Sequence, residues 1–180
     1  MKKMLPTLVV LTLAALTQAA DDPKQPDADD VFREPFTLKL HVDKQHYYEQ
    51  KIAKIPYVHK DAVFLFKDDE LGLTFDIQYK SIRSVKYQKD LKKADVTLKF
   101  TQLILADGTG TMMLQIQNNT KHKLNFDAMM TVPTEKKPMR TSILPVRPGL
   151  GLFETWPHPI LQLVLINIRI APPPAKGDAI

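Results

Sequence analysis

Leu71-Gly72-Leu73-Thr74-Phe75-Asp76-Ile77-Gln78-Tyr79 is the stretch whose reading decides the fold. Its large apolar side chains fall at every second position, with Gly72, Thr74, Asp76 and Gln78 between them. In an extended chain successive side chains point to opposite faces, so this pattern buries one face and wets the other. The same period runs through Phe36, Leu38, Leu40 and Val42 on one side, and through Val96, Leu98 and Phe100 on to Leu105 on the other. Asp107-Gly108-Thr109-Gly110 tolerates positive φ and precedes Met112, Leu114 and Ile116, which predicts a hairpin.

Asn118-Asn119-Thr120-Lys121 supplies the next turn, before Leu124, Phe126, Ala128, Met130 and Val132. Ile160 to Ile170 is almost continuously apolar, the pattern of a central strand buried on both faces at its start. Shorter strands are expected at Lys51 to Ile55, Ala62 to Phe66, Arg83 to Tyr87 and Met139 to Leu144, while helix competes with strand over Ser84 to Ala94. Seven to nine strands with turn residues between them predict an all-β chain, a single antiparallel β-sandwich of immunoglobulin-like kind. Without a Cys pair, and with Trp156 late in the chain, its core differs from that of antibody domains.

The flanks read differently. Lys2 and Lys3, the apolar run Leu8 to Leu16 and the small residues to Ala20 have the layout of a secretory signal peptide, expected over 1–19. No later stretch offers the roughly 18 uncharged residues of a membrane helix, so the mature chain is expected to be periplasmic or secreted and to lack a transmembrane segment. Residues 20–35 combine Pro23, Pro26 and Pro35 with Asp21, Asp22, Asp27, Asp29, Asp30 and Glu34, and predict a flexible acidic leader. The folded domain is expected over 36–170, and a Pro-rich flexible tail over 171–180.

The formal charge of the 180-residue chain is +5. Because the acidic leader carries a net −4 and Lys2 and Lys3 leave with the signal, the folded body holds about +7. A basic exported domain suits anionic envelope polymers or lipids, and nucleic acid is not expected as a partner. The chain has no Cys, which excludes disulfides, thiolate metal sites and a Cys nucleophile.

Leu114-Gln115-Ile116-Gln117-Asn118-Asn119-Thr120, Leu124 to Ala128, Thr141 to Val146 and Phe153-Glu154-Thr155-Trp156-Pro157 together resemble small exported bacterial proteins with immunoglobulin-like sandwiches. The resemblance covers about a third of the chain. It implies the fold alone and carries no catalytic residue with it.

Four groups of residues are candidates for chemistry. Pro145 to Pro159 holds four prolines, Gly149 and Gly151 among Phe153, Glu154, Trp156 and His158, and predicts an irregular rigid loop rather than a strand. Aromatics on such a loop suit a binding site; they equally suit a plug at one end of the sandwich, with Glu154 capping backbone donors. Lys80 to Lys93 is the densest basic stretch, and its Lys86, Lys89, Lys92 and Lys93 suit an anionic partner or an ordinary solvated face.

Met112, Met113, Met129, Met130 and Met139 with His122 offer thioether and imidazole ligands of the kind that select Cu(I), although one Met of each pair must face the core. The five His residues otherwise lack metal-site spacing. No nucleophile elbow or phosphate loop is present, Asp68-Asp69-Glu70 reads as a hairpin turn, and the sequon Asn118-Asn119-Thr120 reads as a turn. The sequence therefore predicts an exported, non-enzymatic interaction module without a cofactor, contacting a protein or anionic envelope component. The alternatives are a periplasmic Met/His copper carrier and an enzyme of unrecognised class.

Overall fold

The computed structural model describes residues 30–133, 135 and 137–172. The signal peptide, most of the acidic leader and most of the Pro-rich tail lie outside the described residues. Within them the chain is an antiparallel β-sandwich, and no α-helix occurs among them.

The front sheet is built from β7 (Asp69–Gln78), β8 (Ser81–Gln88), β9 (Val96–Ile104), β10 (Gly110–Asn118) and β13 (Gly151–Trp156), in the order β13-β10-β9-β7-β8. The back sheet holds β5 (Val58–His59), β6 (Ala62–Leu65), β11 (Leu124–Thr131), β12 (Met139–Ser142) and β14 (Gln162–Ile170), in the order β12-β11-β14-β6-β5. Two ribbons flank them: β1 (Phe32–Arg33) with β4 (Ile55–Pro56), and β2 (Phe36–His41) with β3 (Tyr47–Ile52). The sandwich proper thus has ten strands rather than seven to nine.

The core is made as the alternation requires. Leu71, Leu73, Val96, Leu98, Phe100, Leu114 and Ile116 face inward from the front sheet, against Val63, Leu65, Leu124, Phe126, Leu163 and Leu165 from the back. Fully burying such a side chain contributes about 1.5–3 kcal/mol, and that sum holds the layers together. The β9–β10 hairpin forms as expected, with Gly108 at φ +89° and Leu105 N–H donating to Thr109 O. β14 is central, between β11 and β6, but its outer face is only half-buried at Val164 and Ile166.

Three local readings are corrected. Ser84 to Ala94 is not a helix: β8 runs to Gln88 and is followed by a single 3₁₀ turn, Leu91–Lys93, capped by Asp90. Asp68-Asp69-Glu70 is not a hairpin, because β6 lies in the back sheet and β7 in the front. The chain crosses between layers there, with Asp68 at φ +71°.

Third, the end of the acidic stretch belongs to the fold. Phe32 and Arg33 pair with Pro56 and Ile55, and the Arg33 side chain is buried. Its Nη2 donates to Asp69 Oδ2 at 2.7 Å and to Phe64 O at 3.0 Å, while the guanidinium lies 4.3 Å from the Tyr57 ring centre and 4.9 Å from that of Phe66. Burial is the largest influence on both partners: it lowers the Arg33 pKa and raises that of Asp69, each against the pull of the other. Phe66 N–H also donates to Asp69 Oδ2 at 2.7 Å, and two donors on one oxygen fit an ionised pair.

Candidate functional site

A sandwich has four sheet edges, each a row of unpaired backbone groups that invites another strand unless it is blunted. Three of the four are blunted here. β5 has two residues and follows Pro56; β12 has four, between Pro138 and Pro145. β8 is longer, but Arg83 bulges out of its register and Asp61 Oδ1 accepts from its Val85 N–H at 2.8 Å. Arg83, Lys86 and Lys89 line the same segment.

β13 has none of these devices. Six residues, Gly151–Trp156, pair without a register break against Met112 to Gln117, and no Pro, Lys or Arg interrupts them. Asn118 N–H donates to Leu150 O at 3.0 Å, which sets the phase of the ladder. Leu152, Glu154 and Trp156 therefore bond to β10, and the backbone groups of Gly151, Phe153 and Thr155 point to the open side. Among the described residues, nothing accepts from or donates to those outward groups. Phe153, 60% exposed, stands on the outer face, and Leu144 and Leu150 are exposed at 63% and 53%.

The expected irregular loop over Pro145 to Pro159 is thus corrected: its second half is a strand. Glu154 hid the alternation, being a charge on the inward side. It is there because its Oε1 accepts from Leu144 N–H at 2.8 Å and ties down the crossing segment. Trp156 is buried, donates from Nε1 to Thr141 Oγ1 at 2.8 Å across the two sheets, and meets Phe100 edge to face. Trp156 and Glu154 serve the scaffold, whereas Phe153 is presented to solvent.

His158 lies just beyond β13. It is half-buried and, with Val42, Val132, Pro133, Met139 and Pro159, lines a mainly apolar cavity of about 280 Å³.

The other candidates are dispersed. Lys86 is on β8 and Lys89, Lys92 and Lys93 follow it, at the edge of the front sheet opposite β13, so lysines and aromatics do not share one surface. Lys93 lies 3.7 Å from Asp90. The methionines fall in different places: Met112 and Met130 are buried inward, Met113 lies on the outer face of the front sheet and Met129 on that of the back, and only Met139, on the edge strand β12, stands directly across from another, Met130.

His122 sits in the β10–β11 connection, where its carbonyl accepts from Asn118 Nδ2 and Thr120 Oγ1. No shared metal site can be drawn from side chains on opposite faces. Asn118 itself is fully buried, its Nδ2 also serving Val146 O, so the sequon is a structural turn.

Sequence reasoning missed the exposed Leu144, which the crossing loop brings to Glu154 of β13, and the exposed Leu150, which directly precedes that strand. It also missed a polar recess on the outer face of the back sheet, around Asp127, Arg140 and Arg169. A faint signal for that recess existed in Ile166-Asn167-Ile168-Arg169, where a turn-forming residue interrupts an apolar strand. No known protein family, curated protein or solved structure matches the chain.

Proposed function

We infer that this is an exported, non-enzymatic binding module of the bacterial envelope whose β13 edge holds a protein partner by strand addition. The observation that carries the reading is the contrast between β13 and the three blunted edges: stable folds leave a long edge open where something pairs with it. Backbone hydrogen bonds at Gly151, Phe153 and Thr155 supply affinity in such a contact. Phe153, exposed on the outer face, supplies an apolar anchor.

The leader pattern at Lys2, Lys3 and Leu8 to Leu16 supports export. The immunoglobulin-like reading belongs to the same proposal. It is supported by two antiparallel sheets joined by repeated crossings rather than by strand order. The lysines at the β8 end act on this reading as guards of an edge.

The test is Thr155→Pro. It removes an outward N–H and leaves the ladder to β10 intact, as proline on an edge strand does. Envelope proteins retained by the wild-type domain at low and high salt are expected to be lost with Thr155→Pro and kept with Lys89→Glu. Slowed amide exchange is expected at Phe153 and Thr155 in the complex. Retention of the same proteins by a folded Thr155→Pro domain refutes the reading.

A further inference from the structure

The outer face of the back sheet carries a second feature, independent of the β13 edge. Asn167, at φ +49°, is an extra residue in β14: Asp127 pairs with Ile166 but Asn125 pairs with Arg169, so Asn167 and Ile168 together oppose one residue of β11. The bulge changes the phase of the strand. Leu163, Leu165 and then Ile168 face inward, which turns Arg169 outward beside Asp127. In an unbroken strand Arg169 faces the core.

The result is a recess of about 370 Å³ between β11, β12 and β14, near the lower end of small-ligand sites. Arg169 Nη1 donates to Asp127 Oδ1 at 2.9 Å and to Asn167 O at 2.8 Å, and Asn167 Nδ2 donates to Asp127 Oδ2 at 3.1 Å. Those donors hold the Asp127 carboxyl below the usual carboxylate range, Asn167 contributing most and Arg169 next.

Arg140 lines the same recess and, among the described residues, its side chain has neither an ion pair nor a hydrogen bond. Ser142 stands beside it on β12. At the recess wall Asn125 Oδ1, shielded from solvent, has no donor.

Two guanidiniums and one carboxylate leave the recess one positive charge in excess, so it suits a monoanion better than a phosphate dianion, which Asp127 opposes. A planar carboxylate matches the fork of an unpaired Arg. Asp127 and Ser142 add acceptors that suit hydroxyl donors on the same ligand. We propose that this recess binds a hydroxylated monocarboxylate of monosaccharide size, a sugar acid, with Arg140 as the carboxylate contact and Asp127 and Ser142 as hydroxyl contacts.

The test is an amide and guanidinium NMR titration at low salt with three probes: glucuronate, glucose and glucose 6-phosphate. Saturable shifts centred on Arg140, Arg169 and Ser142 are expected with glucuronate alone, and about tenfold weaker binding with Arg140→Gln, a substitution of an exposed side chain. Three results overturn the proposal: no saturable shift from glucuronate into the tens of millimolar, equal shifts from glucose or glucose 6-phosphate, or unchanged affinity in a folded Arg140→Gln domain. None of these depends on β13, so the proposal and the strand-addition reading stand or fall separately.

Discussion

Removing the Arg33 side chain is the sharpest perturbation of the fold as described. Arg33 is 6% exposed and pairs with the largely buried Asp69 across 36 residues of sequence. Its side chain also donates to Phe64 O and Pro56 O and packs on two aromatic rings, with only Nε left unpartnered. Arg33→Ala leaves Asp69 as a buried carboxylate with a single donor from Phe66, and breaking such a pair from one side costs about 3–5 kcal/mol. That is a large share of the roughly 5–15 kcal/mol by which domains are stable.

Urea unfolding followed by the fluorescence of the lone Trp156 reads it directly, with a midpoint lower by about 1–3 M at ordinary slopes. A deletion up to Pro35 is expected to cost a similar amount. Arg33→Met with Asp69→Asn removes both charges and keeps an acceptor for Phe66 N–H, so it is expected to recover all but about 1–2 kcal/mol. A loss below about 1 kcal/mol in Arg33→Ala refutes the claim that this pair pins the amino-terminal segment to the sandwich.

Two further perturbations test the turn and the bulge. Tyr79 and Lys80 turn the β7–β8 hairpin at φ +50° and +60°, and Tyr79 is 95% exposed, so no contact of its ring offsets the left-handed backbone. Lys80→Gly is expected to stabilise the domain by about 1 kcal/mol, seen as a Tm rise of about 4 °C; a fall argues against that turn geometry. The Asp127 carboxyl is held below its ordinary value by Asn167 and Arg169, so its contribution is complete above about pH 5 and is lost as pH falls through the folded value. The stability gap between wild type and Asp127→Asn is expected to narrow between about pH 5 and pH 3 in urea titrations, and a gap independent of pH refutes the ion-pair role of the bulge.

What was legible in the sequence follows from what period two encodes. It fixes which face a side chain takes, and the core residues from Leu38 to Leu165 follow that rule without exception wherever the strand is regular. It failed at Glu154, where the inward position holds a carboxylate because a crossing loop brings it the Leu144 N–H. It failed at Arg33 for a related reason: Pro and Asp around it suggest a solvated leader, and its partner Asp69 lies 36 residues away at the start of β7. In both places a polar side chain is inside because a distant segment satisfies it, a fact that no local window contains.

The sites were less legible than the fold because each depends on a difference between elements rather than on a motif. Phe153 is one exposed aromatic among ordinary surface residues until β13 is set beside β8, whose bulge, capped Val85 N–H and lysines show how this chain closes an edge it means to keep closed. Arg169 is one arginine near the end of an apolar strand until the phase shift at Asn167 brings it to Asp127. The methionine pairs argue the same point in reverse. Met112-Met113 and Met129-Met130 look concentrated in sequence, yet alternation sends the members of each pair to opposite sides of their own sheet. Proximity along an extended chain separates side chains, and pairing and bulges bring them together.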